Sequence, residues 1–227
     1  MISLVVSCMN RTNNLCHTLE SWIDQSKLIT DILLIDWSSN PSLKSNSFIS
    51  DLINRQKINI VEVIDEPFFS VPKASNLAFN KINTTNEYLI KIDSDYQLLD
   101  PYFINNKVLD INNSFLRGPN KSHYTGFLAI EKKNFLYYNE NFVGWGYEDL
   151  DLYSRLKNNI QEIMFTDIEK YIYHIPHPDS DSVANYSIKN KARSEKNNRL
   201  LASESFTISK YETIYKTDCY ERVKRIC

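Results

Sequence analysis

"EYLIKIDSD", residues 87–95, is an apolar strand that runs straight into two carboxylates. The run is short, rich in Leu and Ile, and closed by the polar Asp93-Ser94-Asp95 group, the signature of a buried strand rather than a helix. Similar runs precede it. "SLVVSCM" (3–9), "DILLID" (31–36) and "INIVEVI" (58–64) read as strands, and "WSSNP" (37–41) as the turn after the second. Between them, residues 13–25 carry Leu15, Leu19, Trp22 and Ile23 at helical spacing. "FISDLIN" (48–54) fits a helix, as does "PKASNLAFNKI" (72–82), whose proline suits a first turn. Strands alternating with helices predict an α/β fold with a mostly parallel sheet covered on both faces. Ligands bind such sheets at the carboxyl ends of the strands, where Asp36 and Asp93 fall.

Composition narrows the class. The 227 residues are 42% hydrophobic and 24% charged, the ordinary balance of a globular chain. The formal net charge is −2 and the basic residues are scattered, which predicts neither nucleic acid nor anionic lipid as partner. The opening "MISLVVSCMNR" lacks the parts of a signal peptide, and no apolar run is long enough for a membrane span. Cys8, Cys16, Cys219 and Cys227 lack metal-ligand spacing, so reduced thiols and a cytoplasmic location are expected.

Three constellations carry chemistry. Asp93 and Asp95, two apart, project to the same side of extended backbone, as a shared divalent cation requires or as a polar turn allows. In "NFVGWGYEDLDLYSRL" (141–156), two of the chain's four glycines flank Trp145, ahead of Glu148, Asp149 and Asp151. Acids in a first helical turn stabilise the helix dipole, and Asp151 with Arg155 makes an i,i+4 pair. That accounts for Asp151 and leaves the Gly-Trp-Gly lead to Glu148 and Asp149 unexplained. In "YHIPHP" (173–178), His174 and His177 lie three apart beside prolines, either as surface histidines or as imidazoles completing a metal site. A weaker set, Arg11, Asp36 and Lys73, suits a nucleotide's phosphates and ribose, although each singly is more often a salt-bridge residue.

With these residues assembled, the chain resembles the inverting GT-A glycosyltransferases, most closely the β-1,4-galactosyltransferase family and related polysaccharide synthase domains. "GWGYEDLDLYSRL" (144–156) is similar to that family's Gly-Trp-Gly-Gly-Glu-Asp-Asp-Asp signature, and "IDSD" (92–95) to its Asp-x-Asp motif. "MNRTNNL" (9–15), "FFSVPKASNLAFN" (68–80) and "TGFLAIEKKNF" (125–135) resemble further family segments, in the family's order, over roughly residues 1–180. The resemblance implies a GT-A fold over residues 1–203. A nucleotide-binding half would cover 1–100 and an acceptor-binding half 101–203; by their own composition, the polar residues 178–198 read as a mobile loop and 204–227 as a tail of one or two short helices.

It further implies a metal-dependent, inverting hexosyltransferase acting on a UDP-sugar, with galactose or N-acetylgalactosamine favoured and a glycan or glycoconjugate hydroxyl as acceptor. Asp149 would be the general base and Glu148 would bind the acceptor hydroxyl. Trp145 would stack on a sugar, and Asp95 with His174 and His177 would hold Mn²⁺, or Mg²⁺ in its place. Arg11, Asp36, Lys73 and Asp93 would lie near the UDP. Three positions depart from the family: Tyr147 stands for the second motif glycine, Val71 for a phosphate-side arginine and Leu150 for the third acid. The rivals are a nucleotidyltransferase on a related α/β fold, which has no use for Trp145 between glycines, and a non-catalytic carbohydrate-binding descendant, in which the acids would have eroded.

Overall fold

The structure is a computed structural model describing residues 1–227 apart from Asp24, Ser26, Thr84, Lys121, Asp179, Asp181, Ser182, Ser203 and Cys227. Its first half follows the predicted alternation. β1 (Ile2–Cys8), α1 (Thr12–Trp22), β2 (Ile29–Trp37), α2 (Ser47–Asn54), β3 (Asn59–Ile64), α3 (Val71–Lys81) and β4 (Tyr88–Ile92) succeed one another along the chain. The second half adds β5 (Tyr96–Leu98), β6 (Ser114–Arg117), β7 (Leu128–Glu131), α4 (Glu148–Leu156), β8 (Gln161–Met164), β9 (Ile172–His174), α5 (Lys191–Leu201), β10 (Lys210–Lys216) and β11 (Tyr220–Ile226).

Nine of these strands form one sheet in the order β10-β11-β3-β2-β1-β4-β7-β6-β8. Pairing is parallel from β11 through β3, β2 and β1 to β4, and again between β6 and β8; β7 and β10 run antiparallel to their neighbours. β1 sits at the centre, and its run is apolar on both faces because both are covered. Leu4, Val6 and Cys8 pack with Leu15, Leu19 and Trp22 of α1, while Val5 faces the layer holding Ala74 and Leu77 of α3 and Leu152 of α4. The register sets Cys8 opposite Asp36 and Val6 opposite Ile92, so the chain leaves β1, β2 and β4 along one edge of the sheet.

That edge is pinned from below. Thr18 Oγ1 of α1 donates to the Ser94 carbonyl at 2.8 Å, and Trp22 Nε1 donates to the Tyr96 carbonyl at 2.8 Å. β5 then pairs with β9 in a separate two-stranded ladder, Tyr96 opposite His174. A carboxylate just before β5 and two histidines at the end of β9 are therefore neighbours, although about eighty positions separate them in the chain.

Two expectations need correction. The tail expected to be helical over 204–227 holds instead the β-hairpin of β10 and β11: β11 joins the central sheet parallel to β3, with Tyr220 opposite Ile60 and Lys224 opposite Ile64. Its many charged residues resemble helix formers, but Thr213, Ile214, Tyr215, Tyr220 and Val223 are β-branched or aromatic. Val223 is fully buried, and Lys81, Glu62 and Glu66 pair with Glu221, Arg222 and Arg225 across the junction. The segment 178–198 is not all loop either, since Lys191 onward belongs to α5. Its sequence shows no apolar stripe because the side chains it buries are Ser194 and Asn198, docked by hydrogen bonds. Asp179, Asp181 and Ser182, which that expectation also covered, lie outside the described residues. Among the described residues, no helix is long and apolar enough to cross a membrane.

Thr18→Val keeps the shape of the side chain and leaves the Ser94 carbonyl without its donor. Urea unfolding should show a loss of about 1–3 kcal/mol, the cost of an unpaired buried acceptor.

Candidate active site

A cavity of about 490 Å³ opens along the carboxyl ends of β1 and β4. The Asp93-Ser94-Asp95 turn forms its floor, and the 143–147 loop and the start of α5 form its far wall. Within it, Asp95 is the best buried acid of the turn, 4% exposed. Its Oδ2 meets Arg11 Nη1 at 3.2 Å, His177 Nε2 at 3.0 Å and His174 Nε2 at 3.7 Å. Its Oδ1 is buried without a hydrogen-bond partner. One ligand atom from each of Asp95, His174 and His177 lies within 4.8 Å of the others, so the three fit a single divalent cation. Carboxylate and imidazole together suit first-row metals such as Mn²⁺ and Zn²⁺. Burial pushes the His174 imidazole below its usual range, against the pull of Asp95. The hydrogen bond to Asp95 holds His177 above it.

Asp93 has a different task. Its side chain is 43% exposed, and its Oδ1 accepts from Lys91 Nζ at 3.0 Å. Gly126 makes room for it, since a Cβ there would stand 2.2 Å from Asp93 Oδ2. Lys91, on β4, is 4% exposed and also reaches Asp149 Oδ1 at 3.4 Å. Burial alone would lower the lysine's pKa, yet Asp149 and Asp93 raise it above the ordinary range, so the ammonium stays charged.

Across the cavity, α4 starts at Glu148 behind a backbone of unusual conformation. Gly144, Gly146 and Tyr147 have φ of +83°, +96° and +78°. The first two are the residues for which that region is free; Tyr147 sits where the resembled family has glycine, at a steric cost of roughly 1–2 kcal/mol. Its ring packs on Phe142 and beneath the Arg199 guanidinium. Ser194 Oγ donates to the Val143 carbonyl at 3.0 Å and Asn198 Nδ2 to that of Gly146 at 2.8 Å, so α5 clasps the loop. Asn76 of α3 braces the approach: its side chain accepts from Tyr138 N and donates to the Tyr138 carbonyl and Glu140.

This backbone aims Glu148 and Asp149 into the cavity and Asp151 away from it, where Arg155 pairs with Asp151 at 2.8 Å as the spacing predicts. Glu148 is 7% exposed with Oε2 unpartnered; burial and the neighbouring Asp149 push its pKa up to about 8. Burial also raises Asp149, while Lys91 pulls it back down.

Of the residues singled out in the sequence, Arg11, Asp93, Asp95, Trp145, Glu148, Asp149, His174 and His177 line this one cavity. Asp36 and Lys73 do not. Asp36 is fully buried and spends its carboxylate on its own turn, accepting from Ser39 N at 3.2 Å, Ser42 Oγ at 3.2 Å and Leu43 N at 2.8 Å. Lys73 lies in the first turn of α3, where its backbone N–H donates to the capping Ser70 hydroxyl. Arg11 reaches the Asp95 group itself, and the Lys191 ammonium lies over the Trp145 ring, 4.8 Å from its centroid. Sequence reasoning missed Lys91 and His123. His123 stacks on His174 at 4.7 Å and 14°, in a segment with no periodicity or motif to mark it.

The profile described as the N-terminal domain of galactosyltransferase matches residues 108–178. No curated protein matches the chain. Among solved structures, the catalytic domain of Drosophila β1,4-galactosyltransferase 7, in complex with xylobiose, superposes with a TM-score of 0.63 at 15% identity, over all of this chain and 94% of that one. A mutant of that enzyme is in complex with manganese, UDP-Gal and xylobiose. S. aureus TarS (residues 1–349) gives 0.61 at 13% identity, over 89% of this chain and 72% of that one. Mycobacterium tuberculosis glucosyl-3-phosphoglycerate synthase, in complex with Mn²⁺, UDP and glucosyl-3-phosphoglycerate, gives 0.56 at 11% identity, over 98% and 88%. The chain has the GT-A fold of these glycosyltransferases.

Gly144→Ala would put a Cβ 2.3 Å from Ser194 Oγ, at a φ that L-residues avoid. Thermal unfolding should show a loss of at least about 1–2 kcal/mol, and hydrogen exchange should show faster amide exchange concentrated in α5.

Proposed function

We propose that the chain is a metal-dependent glycosyltransferase that moves a hexose from a UDP-sugar to a carbohydrate hydroxyl with inversion. The observation that carries this reading is the meeting, in one cavity, of the Asp95-His174-His177 group with the Glu148-Asp149 pair behind Gly144-Trp145-Gly146. The first group suits a cation that binds a diphosphate, and the second suits a hydroxyl about to lose its proton. The GT-A fold, and the manganese and nucleotide complexes of the similar enzymes, support the same assignment.

Asp95, His174 and His177 hold Mn²⁺ in this reading, with Mg²⁺ the alternative. When bound, the ion supplies Lewis-acid neutralisation of the departing diphosphate. Asp149 accepts the proton of the attacking hydroxyl on the face opposite the leaving group, so no covalent enzyme intermediate is needed. Such a base contributes about 10²–10⁴ in rate. Glu148, with a pKa near 8, carries its proton at neutral pH and donates a hydrogen bond to the acceptor oxygen. Trp145 offers its ring to a sugar, and Arg11 extends positive charge toward the phosphates. Asn185 and Tyr186, ahead of α5, line the cavity, Tyr186 buried in its wall and Asn185 Nδ2 donating to the Met9 carbonyl at 2.5 Å. These two side chains narrow the access of water that would hydrolyse the donor. Galactose or N-acetylgalactosamine is the favoured donor sugar, and Tyr147, where the resembled family has glycine, reshapes the acceptor side.

UDP release from a panel of UDP-sugars with Mn²⁺, with and without sugar acceptors, tests this directly. Acceptor-dependent release from UDP-galactose or UDP-N-acetylgalactosamine is expected, and a panel without any release refutes the reading. Asp149→Asn should lower turnover by at least about a hundredfold while leaving UDP affinity near that of the parent. Asp95→Ala should abolish Mn²⁺-dependent UDP binding in a calorimetric titration; affinity that persists removes the ligand assignment.

A further inference from the structure

Asp149 is held by one oxygen only. Its Oδ1 accepts from Tyr138 Oη at 2.9 Å and from Lys91 Nζ at 3.4 Å, whereas Oδ2 takes no hydrogen bond among the described residues. The side chain is 14% exposed and lines the cavity. The two donors come from separate parts of the fold. Lys91 projects from β4, and Tyr138, fully buried, lies in the chain that Asn76 braces before the 143–147 loop. Neither can leave without exposing a buried polar group, and Lys91 is itself fixed on its other side by Asp93 Oδ1 at 3.0 Å.

We propose that Lys91 and Tyr138 are positioning residues of the transfer reaction, which pin Asp149 through Oδ1, keep it ionised inside the cavity and leave Oδ2 as the oxygen that takes the acceptor's proton. This rests on the glycosyltransferase reading above and adds to it the groups that make a buried aspartate serviceable as a base. The charge logic is direct. Asp149 faces Lys91, Asp93, Tyr138, Glu148, Tyr96 and Tyr153. Of these, Lys91 alone is a cation. Burial and Asp93 favour the protonated acid, which cannot act as a base; the ammonium opposes them and the Tyr138 hydroxyl donates to the carboxylate. Tyr138 and Lys91 thus serve the same oxygen by different means, one by direction and one by charge.

Lys91→Met removes the charge at similar volume, Lys91→Arg keeps it, and Tyr138→Phe removes only the hydroxyl, so at least one variant survives if loss of the buried ion pair impairs folding. Without the cation the Asp149 pKa rises, the ionised fraction at neutral pH falls, and the acid limb of the kcat profile moves to higher pH. Lys91→Met is expected to lower kcat at neutral pH by about tenfold or more and to recover it as pH rises. KM for the UDP-sugar and Mn²⁺-dependent UDP affinity should stay within about twofold of the parent. Tyr138→Phe should move the limb in the same direction by less, and Lys91→Arg should restore it. A limb that does not move in Lys91→Met, or a loss equal at every pH, overturns the proposal and leaves Lys91 a structural counter-ion. A carbon-13 titration of Asp149, assigned with Asp149→Asn, reads the same hold without any turnover. An unshifted midpoint in Lys91→Met sinks the inference, whereas a shifted midpoint in a protein without transferase activity sinks only the functional reading.

Discussion

Four carboxylates share one partly desolvated cavity, and like charges at close range in low dielectric cannot all stay ionised unless something answers them. The fold answers them in three ways. Asp95 is faced by Arg11 and two histidines, while Asp93 and Asp149 share one buried ammonium. Glu148, which has no cation of its own, keeps its proton up to about pH 8. Glu148 and Asp149 thus stand side by side in the chain and in one cavity with different electrostatic partners, the condition under which neighbouring carboxyl groups take different chemical roles.

The sheet that sets up this crowding was legible because its first four strands are unbroken apolar runs between polar turns. The Asp93-Ser94-Asp95 turn announced itself by ending one of them. Glu148 and Asp149 were legible for another reason: a chain with four glycines spends two of them around Trp145. Lys91 was not legible. It sits inside "YLIKI", where a lysine in an apolar strand reads as the solvent-facing member of an alternation, and one of its two partners, Asp149, lies 58 positions away. His123 was missed for want of any local pattern. Asp36 misled in the opposite sense, since an acid at a strand end looks like a ligand group while this one completes the turn that follows it.

The two segments whose secondary structure was misread share a physical cause. α5 docks through Ser194 and Asn198, and the β10–β11 hairpin is anchored by the ladder to β3 and by ion pairs, with only Tyr220 and Val223 as its buried apolar side chains. Patterns of hydrophobicity detect elements that bury oil. They pass over elements that bury hydrogen bonds, and here those elements form the wall behind the Gly-Trp-Gly loop and one margin of the central sheet.

Tying one lysine to two acids also constrains how the protein can drift. Replacement of Lys91 alone leaves the Asp149 carboxylate in the cavity without its cation, whereas loss of either acid still leaves the lysine one partner. Viable lineages should therefore exchange Lys91 only together with Asp149, while either acid can change with the other still holding the lysine. Gly126 belongs to the same linkage group, because any larger residue there would meet the Asp93 carboxylate.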